Sequence, residues 1–140
     1  MTEISFDDIR DRFATNTVRN DIYKGYKEYV KILLQKIEKC EQIIDGSFTT
    51  KKENPNDIDI CTFLDIDFMK ENSNFLHRLK RKDVKIQHKV DGYFCPTCKA
   101  DSAYQQICKE WYEYWISWFS RDRNGNEKEL FISTISRDNV

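Results

Sequence analysis

The sequence predicts an α/β (α+β) domain: a mixed sheet of about four strands with helices packed on it. Three observations carry that expectation. Apolar residues recur at steps of three and four over 20–39. Short runs at 41–45, 57–64, 84–94 and 130–135 carry the alternation or apolar density of strands. Helical and extended segments then interleave along the chain, as they do when helices cover a sheet.

Each element has its own warrant. Phe6, Ile9 and Phe13 share a helical stripe, so residues 5–14 read as a short helix. Ile22, Tyr26, Val30, Leu33, Leu34 and Ile37 form a longer stripe over 20–39, with lysines and glutamates filling the other face. Residues 41–45 read as a strand entering a Gly46-Ser47 turn, and 57–64 as the next strand. Asp67 is the expected cap of a helix running to about Arg81, with Phe68, Phe75, Leu76 and Leu79 inward. Over 84–94, Val84, Ile86, Val90 and Phe94 fall on one strand face, joined by His88 and Gly92. Lys85, Lys89, Asp91 and Tyr93 fall on the other. Residues 101–119 read as a helix rich in aromatics, 122–128 as a turn around Asn124-Gly125, and 130–135 as a closing strand.

Composition bounds the function classes. The 140 residues, 34% charged and 39% hydrophobic, suit one globular domain spanning 1–140. A formal net charge of −1 argues against a protein that coats nucleic acid by bulk charge. No apolar run is long enough to span a membrane. The charge-broken N-terminus does not read as a signal peptide. Five cysteines without a regular framework favour reduced thiols in a cytoplasmic setting.

The chemistry concentrates in Ile43–Ile60, "IIDGSFTTKKENPNDIDI". Strand geometry puts Asp57 and Asp59 on one face, roughly 7 Å apart, with Ile58 and Ile60 pointing into the core. Two acids so close repel unless something positive lies between them. A divalent cation with oxygen ligands is the usual solution. Asp91, on the polar face of a later strand, adds a third carboxylate if the strands are neighbours. Three converging acids can hold two metals for phosphoryl or nucleotidyl transfer. Gly46 lets the backbone approach a phosphate, and Ser47 offers a hydroxyl and an N–H. Lys51, Lys52 or Lys89 would neutralise phosphate charge.

Those residues resemble the DNA polymerase beta-like nucleotidyltransferase superfamily: Gly46-Ser47, a spacer, Asp57-Ile58-Asp59-Ile60, then Asp91 on a later strand. "GSFTTKKENPNDIDI" and "KVDGYF" are also similar to a group of small, single-domain bacterial nucleotidyltransferase-like proteins. The likeness runs from about residue 19 to 135. It implies the polymerase beta-like fold and Mg²⁺ or Mn²⁺, with two ions. Asp57, Asp59 and Asp91 are implied as catalytic and metal-binding, and Gly46, Ser47 and Lys51 as nucleotide-binding. The implied activity moves a nucleoside monophosphate from a nucleoside triphosphate, ATP among them, to a hydroxyl on a protein, an RNA end or a small molecule. Small members of the superfamily resemble antitoxins and bacterial defence components. The alternative is a catalytically silent binding module of the same fold, acting through a protein partner. The polar spacer with Pro55 leaves no room for the helix many relatives carry there, and the chain has no large C-terminal helical domain.

Three further features have plainer readings. Cys95-Pro-Thr-Cys98 has the spacing of a zinc or redox pair, but a fourth ligand is missing, so reduced, metal-free cysteines are expected. Trp111, Tyr114, Trp115 and Trp118 form one stripe of a helix that is apolar nearly all round. This predicts burial on two sides, or a core face plus a surface for a protein partner or a second copy through Trp111, Trp115 and Trp118. The basic run 77–82 suits a helix C-terminus, with a small RNA contact as the alternative.

Overall fold

The computed structural model describes residues 1–121, 124–125 and 127–140. Five strands form one mixed sheet: β1 (Thr2–Glu3), β2 (Lys39–Asp45), β3 (Ile58–Asp65), β4 (Val90–Thr97) and β5 (Phe131–Ser136). Their order is β1-β5-β2-β3-β4. β2 runs antiparallel to both β3 and β5, while β4 is parallel to β3 and β1 is parallel to β5. The two-residue β1 is the strand that the alternation pattern missed. Among the described residues no helix is long and apolar enough to cross a membrane.

The sheet separates two cores. One face meets α1 (Phe6–Phe13) and α2 (Thr17–Leu33). There Ile44, Ile58, Ile60 and Phe131 pack with Phe6, Ile9, Ile22, Tyr26 and Leu33. Ser5 and Asn16 cap the two helices by accepting from Asp8 N and Arg19 N. A buried polar chain crosses this core: Tyr26 Oη donates to Gln42 Oε1 at 2.7 Å, and Gln42 Nε2 donates to Thr62 Oγ1 at 3.0 Å. The opposite face meets α6 (Gln105–Phe119), where Phe119 covers Ile43, Cys61, Phe63 and Cys95.

Between β3 and β4 the expected single helix is three short ones: α3 (Ile66–Glu71), α4 (Ser73–Arg78) and α5 (Arg81–His88). Asp65, not Asp67, is the first cap; its carboxylate accepts from Asp67 N and Phe68 N. The chain breaks at Asn72 and again at Leu79 and Lys80, which leave helical backbone angles. Residues 84–88, expected as strand, are therefore helix. Val84 is buried while Ile86 is 71% exposed, the opposite of their shared strand face. α5 ends where Lys89 takes a left-handed conformation, φ 56°. It lies close on α2 because Gly25 has no side chain; a Cβ there would collide with the His88 carbonyl. His88 faces α2 rather than the sheet, with Nδ1 3.3 Å from Glu28 Oε2.

Two other expectations are corrected. Cys98 and Cys108 form a disulfide, with Cα atoms 6.2 Å apart, so the chain is not a set of reduced thiols. α6 docks along β4 and carries Cys108 onto Cys98, which no spacing rule could foresee. Cys40, Cys61 and Cys95 are free and buried. Of the two readings of α6, burial on two sides is corrected, and a core face with an exposed aromatic surface is what the structure has. Phe119 is 1% exposed, but Trp111, Tyr112, Tyr114 and Trp118 are 40–59% exposed. The turn expected at 122–128 falls at an antiparallel bridge between Arg121 and Glu127, with Gly125 at φ 79°. Asp122, Arg123 and Asn126 in that stretch lie outside the described residues.

Candidate active site

Strand register assembles the acids. Asp45 on β2 pairs with Asp59 on β3, and Asp59 pairs with Asp91 on β4. Cross-strand partners share a face, so three carboxylates stand in a row across three adjacent strands. Asp57, two residues before Asp59, belongs to the same face. That is the α6 face, since Ile43, Cys61 and Tyr93 form the next row. Sequence reasoning named Asp57, Asp59 and Asp91. It missed Asp45, though the parity of β2 and its place beside Gly46 were available signals.

Each outer acid has a cation. Arg81 grips Asp91 with both arms of its guanidinium: Nε donates to Oδ1, and Nη2 donates to Oδ2 at 2.9 Å. Tyr93 Oη accepts from Arg81 Nη2 at 2.6 Å and donates to Asp91 Oδ2 at 3.1 Å. Burial pushes the Asp91 carboxyl up, but these hydrogen bonds and the Arg81 charge outweigh it and hold it below the ordinary range. Lys85 Nζ lies 3.2 Å from Asp57 Oδ2. Lys128 Nζ lies 2.8 Å from Asp45 Oδ2, while Asp45 Oδ1 is buried with no hydrogen-bond partner among the described residues.

Asp59, at the centre, has no ion-pair partner among the described residues. Burial, then the charges of Asp57, Asp91 and Asp45, push its carboxyl up to about 7. Gly46 is pressed against it: at φ 87° it takes a conformation that disfavours side chains, and a Cβ would sit 2.9 Å from Asp59 Cγ. Ser47 opens a one-turn 3-10 helix, Ser47–Thr49, where Thr50 Oγ1 donates to the Ser47 carbonyl at 2.6 Å.

Arg19, only 4% exposed, anchors the loop that follows. Its guanidinium donates to the carbonyls of Phe13, Phe48, Thr50 and Lys52. Asn16 Nδ2 adds a bond to the Glu53 carbonyl at 2.8 Å. The Gly-Ser turn is thus held by α2, a link that no local pattern reveals.

These groups open on a cleft of about 620 Å³, lined by Gly46, Ser47, Lys52, Asp57, Asp59 and Trp118, with Asp45, Arg121 and Lys128 also on its wall. Lys51 is exposed and does not line it; Lys52 does. Asp91 is held beside the cleft by Arg81 rather than on its wall. Lys89 caps α5 through its backbone N–H; its side chain is exposed and does not line the cleft.

The donor chemistry suits a hard divalent cation: carboxylate oxygens on strands, with a central carboxylate that has no ion-pair partner among the described residues. Asp57, Asp59 and Asp91 are the residues that would hold it, with Asp45 beside them. Among the described residues no three acidic side chains are gathered closely enough to hold an ion as they stand. A cation would therefore compete with Arg81 and Lys85 for two of its ligands.

A family profile matches residues 1–133. The chain belongs to DUF6932, a family of unknown function. No curated protein and no solved structure matches it. Membership in DUF6932 covers every residue of the acid row, the Gly-Ser turn and α6.

Proposed function

We propose that this chain is a metal-dependent nucleotidyltransferase, moving a nucleoside monophosphate from a nucleoside triphosphate to a hydroxyl acceptor on a protein, an RNA end or a small molecule. The observation that carries this reading is Asp59. It is a central carboxylate with no ion-pair partner among the described residues, flanked by Asp57 and Asp91 and pressed against Gly46. A buried carboxylate among three others is costly unless positive charge arrives. Bound Mg²⁺ or Mn²⁺ supplies Lewis-acid charge to the reacting phosphoryl group.

The chain's own residues do the rest. Asp57, Asp59 and Asp91 hold the cations. The Ser47 hydroxyl offers a donor to a phosphate oxygen. Lys52, Arg121 and Lys128 supply positive charge along the cleft wall. The polymerase beta-like fold belongs to this reading, as does service as an antitoxin or defence component whose partner docks on the exposed aromatics of α6. A second reading has one observation in its favour: Arg81 and Lys85 already neutralise Asp91 and Asp57. That arrangement suits a silent module that binds without turnover.

Melting curves and a labelling assay separate the readings. With Mg²⁺ and a nucleoside triphosphate, the wild type should gain melting temperature, and the Asp57→Asn/Asp59→Asn variant should not. Transfer of labelled nucleotide should vanish in the variant. Equal thermal shifts would put nucleotide binding elsewhere. A wild-type shift without transfer to any acceptor tried would favour the silent module.

A further inference from the structure

Trp118 and Phe119 are consecutive residues with opposite fates. Phe119 is 1% exposed and packs on the sheet; Trp118 is 59% exposed. Its indole has one aromatic neighbour among the described residues, Tyr114, near-parallel at 22° with centroids 6.5 Å apart. Packing therefore does not account for a tryptophan here. Position does: Trp118 lines the same cleft as Asp57, Asp59, Gly46 and Ser47.

Three basic residues share the lining with the acids. Lys52, Arg121 and Lys128 border the same cleft as the indole. Lys128 is paired with Asp45, whereas Lys52 has no acidic partner among the described residues. One cleft therefore joins a carboxylate floor, a glycine-serine turn, basic side chains and a large open π-face. A volume of about 620 Å³ falls within the ordinary range for small-ligand sites. The ligand that meets all four features is a polyanion with an aromatic ring at one end.

We propose that Trp118 is the base platform of the site, on which the nucleobase of the triphosphate substrate stacks while its phosphates run toward Ser47 and Lys52. This rests on the nucleotidyltransferase reading and adds the base to it. Stacking on an indole face reads ring area and not the hydrogen-bonding edge, so a purine is favoured over a pyrimidine, and adenine and guanine are treated alike.

Two probes test it by calorimetric titration of the full chain in Mg²⁺: ATP, and inorganic tripolyphosphate, which lacks the base. Trp118→Ala should weaken ATP binding about tenfold or more and leave tripolyphosphate binding unchanged. Trp118→Phe, which keeps a ring, should recover most of the loss. The exposed position leaves the fold intact, checked by an unchanged melting temperature without ligand. Equal ATP affinity in wild type and Trp118→Ala would overturn the platform while leaving the site standing. So would equal weakening of both probes. If neither probe binds the wild type, the nucleotide reading of the site fails, and the platform fails with it.

Discussion

The carboxyl of Asp59 is buried and faces the charges of Asp57, Asp91 and Asp45, which together push its pKa up to about 7. In the unfolded chain it ionises near 3.8. Folding therefore favours the protonated form. The stability this contributes is present below about pH 4 and is lost as pH rises through about 7. Asn is neutral at every pH and keeps the shape. Asp59→Asn should stabilise the metal-free protein by about 1–3 kcal/mol at pH 8 and change little at pH 4.5. Urea denaturation at both values measures the difference. An equal effect at the two pH values would show that Asp59 is not strained by its neighbours.

At the scale of elements, α5 decides the electrostatics of the site. Arg81 and Lys85 stand four residues apart, so one helical face delivers both to the acids. Reading 84–94 as one strand hid this. Val84 and Val90 fit a strand face, and the pattern alone cannot tell a short helix from an extended run. The basic run 77–82 looked like helix-end charge, yet Arg81 opens a new helix and reaches Asp91. Arg81→Gln/Lys85→Gln removes the competing cations from Asp91 and Asp57. The variant should bind Mn²⁺ severalfold more tightly in a calorimetric titration without nucleotide, and should melt lower in metal-free buffer because the 9%-exposed Asp91 side chain loses its partner. Unchanged Mn²⁺ affinity would mean that the acids do not bind the ion.

Across the whole molecule, the Cys98–Cys108 disulfide ties the two layers of the site together. It joins the end of β4, the strand that carries Asp91, to the first turn of α6, the helix that ends at Trp118 and Phe119. α6 otherwise docks through few buried residues, Cys108 and Phe119 among them. Closing a loop between cysteines ten apart in sequence removes about 2–3 kcal/mol of unfolded-state entropy. Cys98→Ser/Cys108→Ser should lower stability by about that amount in guanidinium denaturation under oxidising conditions. Excess reductant should bring the wild type to the same midpoint and leave the variant unmoved. A wild type insensitive to reductant would show that the bond does not form.

By itself the sequence determined the helices of the first third, the strands at β2, β3 and β5, the aromatic helix α6, and the candidate acids Asp57, Asp59 and Asp91 with Gly46-Ser47. Those rest on local periodicity and on residue types whose chemistry is visible one at a time. Tertiary structure alone decided the rest. Register put Asp45 in the acid row, because cross-strand pairing depends on which strands become neighbours. The α2 packing brought Arg19 under the Gly-Ser loop, 29 residues from the Phe48 carbonyl it holds. The break into α3, α4 and α5 let Arg81 of the basic run, and Lys85 beyond it, reach Asp91 and Asp57. Docking of α6 joined Cys98 to Cys108 and set Trp118 on the cleft. Each of these depends on contacts between residues distant along the chain, and such contacts leave no periodic signal in the sequence between them.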